Sequence, residues 1–166
     1  MNLIKRLLLA IAVSAILALV AGQFDLLQGR TPTDLGVHDG RLKPPARIPN
    51  SVSSQAGLYA DHPMLESARI DPLPVKAGDV AGTATLAALK AIVERMPGAR
   101  IVTSDGPYLY AQFTSQWFRF VDDTEFWFDP AAGVIQVRSA SRLGESDLGV
   151  NRARIEDIRA RLAATH

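Results

Sequence analysis

The chain has 166 residues, enough for one domain and little more. Hydrophobic residues make up 48% and charged residues 21%, an ordinary globular composition that excludes disorder as the main state. The 18 basic and 17 acidic residues nearly cancel, which argues against a nucleic-acid binder with a large positive field. The lack of cysteine excludes disulfides, zinc–thiolate sites and thiol nucleophiles.

The N-terminus has the pattern of a signal sequence or a membrane anchor. Lys5 and Arg6 precede an uncharged run over residues 7–24. As a helix this run is about 27 Å long at about 1.5 Å per residue, close to the ~30 Å of a bilayer core. Val20-Ala21-Gly22 offers a cleavage context, but no helix breaker follows it. We predict residues 1–28 to be a signal-like N-terminal anchor that is retained, with cleavage as the alternative.

Charge bias gives this anchor a direction. Lys5 and Arg6 are expected to stay in the cytoplasm, with the rest of the chain on the other side of the membrane. No polybasic patch follows them, so we expect contact with the membrane to come from the anchor alone.

Residues 29–60 form a stretch rich in proline and glycine, which excludes long helices and central strands. A flexible tether is one interpretation of this arm. The other is an arm that packs on the domain, because Leu42, Ile48 and Val52 are among its frequent apolar residues.

Residues 61–166 are predicted to form the compact domain. A helix begins at Gly82-Thr83, and Pro97-Gly98 ends it. Strands are predicted over residues 100–103 and over Tyr108 to Thr114, where apolar side chains alternate.

The stretch from Trp117 to Asp129 reads as one long strand. Its four phenylalanines share one parity and would lie on one face: Phe118, Phe120, Phe126 and Phe128. A last strand, Val134 to Ser141, precedes a helix capped by Asn151. The predicted fold class is α+β: two layers, an antiparallel sheet of about four strands with both helices on one face, preceded by the N-terminal hydrophobic helix.

Catalytic motifs are missing from the sequence. The three histidines lack metal-ligand spacing, and no nucleophile elbow or phosphate-binding loop occurs, so we expect no metal and no cofactor. The cluster of Asp122, Asp123 and Glu125 is suited to acid–base work or to binding a cation. Structural ion pairs are the favoured interpretation.

The loop that follows the last strand has two interpretations. It can hold an anion at a helix N-terminus. We favour the other interpretation, in which the polar groups of the loop bond to one another and to the sheet: Asp147 or Asn151 caps the helix, and the arginines meet Asp122, Asp123 or Glu125. The candidate polar network or binding loop comprises Asp122, Asp123, Glu125, Arg138, Ser139, Ser141, Arg142, Asp147, Asn151 and Arg152.

The distribution of charge along the chain predicts specific ion pairs in this network. The stretch before the Pro130–Gly133 turn is acidic and the stretch after it is rich in arginine, and antiparallel strands place the two side by side. We therefore predict that Arg138 and Arg142 are largely buried, because the planar guanidinium binds a carboxylate at two points. Their predicted partners are the carboxylates of Asp122, Asp123, Glu125 or Asp147.

Several segments together form a distinctive signature. They are Val137 to Arg142, Gly144, Ser146 to Arg152, Pro49-Asn50, Val52 to Gln55, Phe118 to Phe120, Asp122-Asp123 and Glu125-Phe126. This signature resembles the bacterial and plastid family called domain of unknown function 1499, from about Leu35 to Leu162. Members typically carry cysteines in the arm, where this chain has Pro45 and Ser51, so no thiol role carries over. The resemblance implies an exported or membrane-anchored protein and supplies no reaction.

Taken together, these features predict a membrane-anchored envelope protein with a non-enzymatic binding or accessory domain. Its location would be the bacterial inner membrane, with residues 7–24 in the bilayer and the domain in the periplasm, or free in the periplasm after cleavage. The expected partner is a small molecule, a lipid or a protein. The alternative is an envelope hydrolase that uses the carboxylate cluster with an arginine clamp.

Overall fold

The computed structural model describes residues 2–165. Its first element is helix α1, Leu3–Gln23, which holds an 18-residue window of mean hydropathy 2.4 with none of that window buried. At about 1.5 Å per residue the helix is roughly 31 Å long. It is long and apolar enough to cross a membrane, and a signal sequence would have the same character.

The rest of the chain supplies six strands and three further helices within the described residues. They are β1 (Ser51–Ser53), a 3-10 turn (Ala56–Leu58), α2 (Leu65–Ala68), β2 (Leu73–Pro74), α3 (Thr83–Val93), β3 (Ala99–Asp105), β4 (Tyr108–Thr114), β5 (Val121–Asp129), β6 (Val134–Ser141) and α4 (Val150–Ala163).

These strands form one antiparallel sheet in the order β1-β6-β5-β4-β3, and β2 also pairs with β6. The α+β class and the antiparallel sheet agree with the sequence prediction, but the sheet has six strands rather than about four. The added strands β1 and β2 share the outer side of β6: Val52 pairs with Ser139 and Leu73 pairs with Ile135. Both are too short to show alternation in the sequence.

The long strand predicted from Trp117 begins only at Val121. Arg119 has a φ of 56°, a left-handed backbone conformation that a strand cannot contain. Phe118 and Phe120 therefore lie in the preceding turn, where their rings stack with centroids 5.7 Å apart. The prediction that all four phenylalanines line one strand face was wrong, since the sequence period continues by chance across a turn.

The core lies between one face of the sheet and the two long helices of the domain. Leu89 of α3 and Ile155 of α4 are fully buried there against Phe126 of β5. The hydrophobic periodicity predicted both helices on one face, and the core places them there.

Hydrogen bonds between its own residues fold the arm into a defined shape. The backbone N–H of Leu42 donates to Oε1 of Gln55 at 2.8 Å, and the Tyr59 hydroxyl donates to the Leu42 carbonyl at 3.2 Å. Leu42 itself is 1% exposed. Two further contacts, described below, connect the arm to the sheet face opposite the helices.

Strand β3 forms the free edge of the sheet. Its pairing with β4 shifts register between Ile101 and Thr103, which leaves Val102 as an unpaired bulge residue that is 41% exposed.

Candidate functional site

Strand alternation divides the predicted acidic cluster between two faces of the sheet. Asp122 has the parity of the core residues Phe126 and Phe128 and lies on the helix side, whereas Asp123 and Glu125 lie on the opposite face. The three acids form one cluster in the sequence, and the structure separates Asp122 from the other two because neighbouring strand residues point in opposite directions.

The first group on the face opposite the helices is centred on Glu125, which is fully buried. Its Oε1 accepts hydrogen bonds from the Tyr108 hydroxyl at 2.8 Å and from the backbone N–H of Gly36 in the arm at 2.7 Å. Its Oε2 lies 3.6 Å from Nη1 of Arg138 and accepts no hydrogen bond from any described residue. Nε of Arg138 donates to the Pro44 carbonyl at 3.1 Å, so both charges of the pair also hold the arm.

The second group repeats this combination of tyrosine, carboxylate and arginine. Asp123, 1% exposed, accepts hydrogen bonds from the Tyr110 hydroxyl and from two nitrogens of Arg142. Gln112 donates in turn to the Tyr110 oxygen at 2.8 Å. The predicted burial and pairing of Arg138 and Arg142 is confirmed, with Glu125 and Asp123 as their partners. We call these six residues the arm-side network: Tyr108, Tyr110, Asp123, Glu125, Arg138 and Arg142.

Burial and neighbouring charges together shift the pKa values of the tyrosines and arginines in this network. Burial, and next the Glu125 carboxylate, raise the pKa of Tyr108, while burial and Asp123 raise the pKa of Tyr110. The hydrogen bonds of Asp123 raise the pKa of Arg142. Burial lowers the pKa of Arg138, and Glu125 opposes that shift. Both tyrosines therefore stay neutral hydrogen-bond donors at neutral pH.

Polar residues on the helix side converge on Asn151. Its Oδ1 accepts hydrogen bonds from the Ser139 hydroxyl and from Arg154, and its Nδ2 donates to the Asn50 carbonyl at 3.2 Å and to Ser141 Oγ at 3.1 Å. Asn151 is fully buried, and these four hydrogen bonds satisfy its side-chain amide, whose burial without partners would be destabilising. They connect α4 to β6 and to Asn50, just before β1. We call the residues joined here the helix-side network: Asn50, Ser139, Ser141, Asn151 and Arg154.

Asp122 pairs with a residue that the sequence reasoning missed. Nη2 of Arg154 lies 2.5 Å from Asp122 Oδ2, and the guanidinium lies over the Phe113 ring at 4.5 Å. Asp122 was expected to pair with Arg138 or Arg142, which lie on the other face. Arg154 stands three residues after Asn151, so both point to the same side of α4, and this spacing was the available signal.

Two other predicted residues have separate roles. Asp147 Oδ2 accepts the backbone N–H of Asn151 at 3.0 Å at the start of α4, where the N-cap residue is Gly149 with a φ of 83°. Of the two residues predicted to cap the helix, Asn151 does not, whereas Asp147 accepts backbone N–H groups at the start of α4. Arg152 lies outside both networks and donates to the carbonyls of Ser67 and Arg69.

An open cleft of about 860 Å³ lies between α4, the end of α3 and the turn before β5. Its walls are mainly apolar, and they include Arg119 and the Asp122–Arg154 pair. The apolar residues of the lining are Met96, Pro97, Phe113, Val150 and Ala153. Arg119 also pairs with Asp25, just after α1, at 2.7 Å. The cleft therefore opens beside the end of the apolar helix.

The charged side chains of this site are engaged in ion pairs with one another. Asp122, Asp123 and Glu125 each have an arginine partner, and the two tyrosines are hydrogen-bonded donors. Among residues 2–165 no group of three or more potential ligands is placed to hold a metal ion.

Fold and networks together define a small α+β domain with a six-stranded antiparallel sheet, buried charge pairs and an N-terminal apolar helix. The chain belongs to the family described as protein of unknown function, DUF1499, whose model matches residues 41–162. No curated protein and no solved structure matches it. The matched segment contains every residue of both networks, whereas α1 lies before it.

Proposed function

We propose that this chain is a membrane-anchored envelope protein whose periplasmic domain binds the acyl portion of a lipid in the cleft beside its anchor. The observation that carries the proposal is the position of the cleft. Its mainly apolar lining includes Arg119, which pairs with Asp25 two residues after the end of α1. Bilayer lipid is the apolar molecule most concentrated at that point.

The direction of the anchor supports a periplasmic domain. Lys5 and Arg6 lie in the first turns of α1, and the domain follows its other end. The positive-inside rule leaves the basic end in the cytoplasm and the domain on the far side.

The pairing of the charges supports a binding role over the hydrolase alternative. A carboxylate acid–base pair needs two carboxyls facing one substrate, and an electrostatic clamp needs an arginine free to meet it. Here Asp122 lies on the helix side of the sheet. Asp123 and Glu125 share the other face, but both are buried, and each already accepts a tyrosine hydroxyl and pairs with an arginine.

Photocrosslinking tests the lipid proposal. The full chain is reconstituted in vesicles containing a phosphatidylcholine with a photoactivatable diazirine in its acyl chain, and labelled peptides are mapped by mass spectrometry. We expect label on α1, which reports the anchor, and label on the segments that contain Phe113 and Val150, which line the cleft. Label on α1 without label in the cleft would refute lipid binding and leave the anchor standing.

A matched pair of variants identifies the cleft as the labelled site. Ala153 is exposed on α4 inside the cleft, so Ala153→Trp fills the cleft without disturbing the core. Ala160 is exposed on the same helix and does not line the cleft, which makes Ala160→Trp the control. The first variant should lose cleft label and keep α1 label, whereas the second should behave like the parent chain.

A further inference from the structure

We infer that the domain itself enters the membrane interface, through a turn that lies against the end of the anchor. This turn, Ser115 to Phe120, connects β4 to β5, and we call it the aromatic turn. Its partner is the headgroup and upper acyl region of the bilayer. The inference rests on the proposed anchor and goes beyond it, because a tethered domain has no need to touch the lipid.

Contact between the anchor and the aromatic turn is unusually close. A Cβ placed on Gly22 would lie 2.6 Å from the carbonyl oxygen of Phe118, so only glycine allows the helix to approach this backbone. Gly22 is buried, and the ion pair from Arg119 to Asp25 joins the same two segments at 2.7 Å. The turn is therefore fixed to the helix by two contacts.

The depth of this contact in a membrane follows from where the exposure of α1 decreases. Residues 3–17 of α1 are exposed, and exposure first decreases at Ala18 and Leu19, about one turn before the helix ends at Gln23. If α1 spans the bilayer, Gly22 lies where the helix leaves the hydrocarbon core. The aromatic turn then sits at the level of the lipid headgroups.

The exposed side chains at this level suit a lipid interface. Trp117 is 65% exposed and Phe120 39% exposed, although both are large and apolar. Phe24 and Leu26, which follow the anchor directly, are 73% and 72% exposed. Such residues are costly in water, while tryptophan and other aromatic rings are favoured at the boundary between headgroups and acyl chains. The two tryptophans differ in this respect, because the other one, Trp127, is only 9% exposed.

This difference allows a direct measurement of depth. The full chain is reconstituted in vesicles of phosphatidylcholine brominated either near the headgroup end of the acyl chain or deep within it. Bromine quenches tryptophan fluorescence only at close range. We expect a loss of Trp117 emission with the shallow label, a smaller loss with the deep label, and no loss for Trp127.

Two single-tryptophan variants assign the signal. Trp127→Phe should keep the quenched emission, and Trp117→Phe should lose it. If Trp127→Phe does not fold, the difference between the parent chain and Trp117→Phe gives the same answer. Equal emission in brominated and ordinary vesicles, with the chain still resistant to alkaline extraction from the membrane, would overturn the interfacial position and retain the anchor. A chain that alkali extracts would overturn both.

Discussion

Arg142 meets Asp123 at two points: its Nη2 lies 2.7 Å from Oδ1 and its Nε lies 2.8 Å from Oδ2. The side chains are only 4% and 2% exposed. This is the geometry in which the planar guanidinium binds a carboxylate best, and it fixes the start of the loop after β6 to the middle of the sheet.

Removing this arginine should be strongly destabilising. Arg142→Ala leaves Asp123 buried without its cation, and breaking a buried pair in this way costs about 3–5 kcal/mol. Arg142→Lys should recover only part of the loss, because an ammonium cannot make the two-point contact. The free energy of unfolding of the full chain in detergent, from chemical denaturation, measures both effects.

Arg161, which pairs with Asp157 on the surface of α4, is the matched control. Arg161→Ala should cost about 0–1 kcal/mol, as exposed pairs do. An Arg142→Ala chain with parental stability but without lipid label would instead make the loop after β6 a binding site.

Alkaline pH should weaken the fold through Tyr108. Burial and Glu125 raise the pKa of this tyrosine, whereas in the unfolded chain it ionises at about pH 10. Stability is thus complete below about pH 10 and falls as the pH rises, since the unfolded state releases a proton that the folded state keeps. Unfolding of the parent chain and of Tyr108→Phe, followed between neutral and alkaline pH, should show a shallower decline in the variant. Identical slopes would rule out this contribution.

The arm should resist proteolysis although it is rich in proline and glycine. Arg41 is exposed, but the next residue, Leu42, is buried and hydrogen-bonded to Gln55 and Tyr59. We expect slow tryptic cleavage after Arg41 and Arg47 in a time course analysed by mass spectrometry. Gln55→Ala should accelerate cleavage after Arg41, because Gln55 also binds the Gly40 carbonyl. Rapid cleavage of the parent chain without loss of domain stability would show a free tether.

The anchor should remain on the mature protein. The apolar run is unbroken through Phe24, and Gly22, in the cleavage context Val20-Ala21-Gly22, is buried close to Phe118. Intact mass measured on the membrane fraction should match a chain that retains residues before Lys5. A mass corresponding to a chain that begins near Gln23 would contradict the prediction that the anchor is retained.

Long elements with a clear period were predictable from the sequence. Strands Tyr108–Thr114 and Val134–Ser141 have the predicted bounds, because alternation and flanking turns define them locally. Strands Ser51–Ser53 and Leu73–Pro74 were not, since each is fixed only by pairing with β6 across many residues of chain.

The candidate site divides in the same way. Arg138 and Arg142 follow from charge counts on neighbouring strands, and both are paired as expected. Arg154 escapes this reasoning because its partner Asp122 lies 32 residues away, across the interface between the sheet and α4. The partner of Asp122 depends on which face of β5 packs against α4. Strand parity shows which residues share a face, but it does not show which face meets the helix.

The bulge at Val102 has a further consequence for the proposed membrane-anchored protein. Chains confined to a surface collide far more often than chains in solution, and the β3 edge presents backbone groups that a second copy is able to extend. The register shift between Ile101 and Thr103 interrupts the regular spacing that such edge-to-edge addition requires. The bulge at Val102 thus disfavours the pairing of β3 edges from neighbouring copies into a continuous sheet.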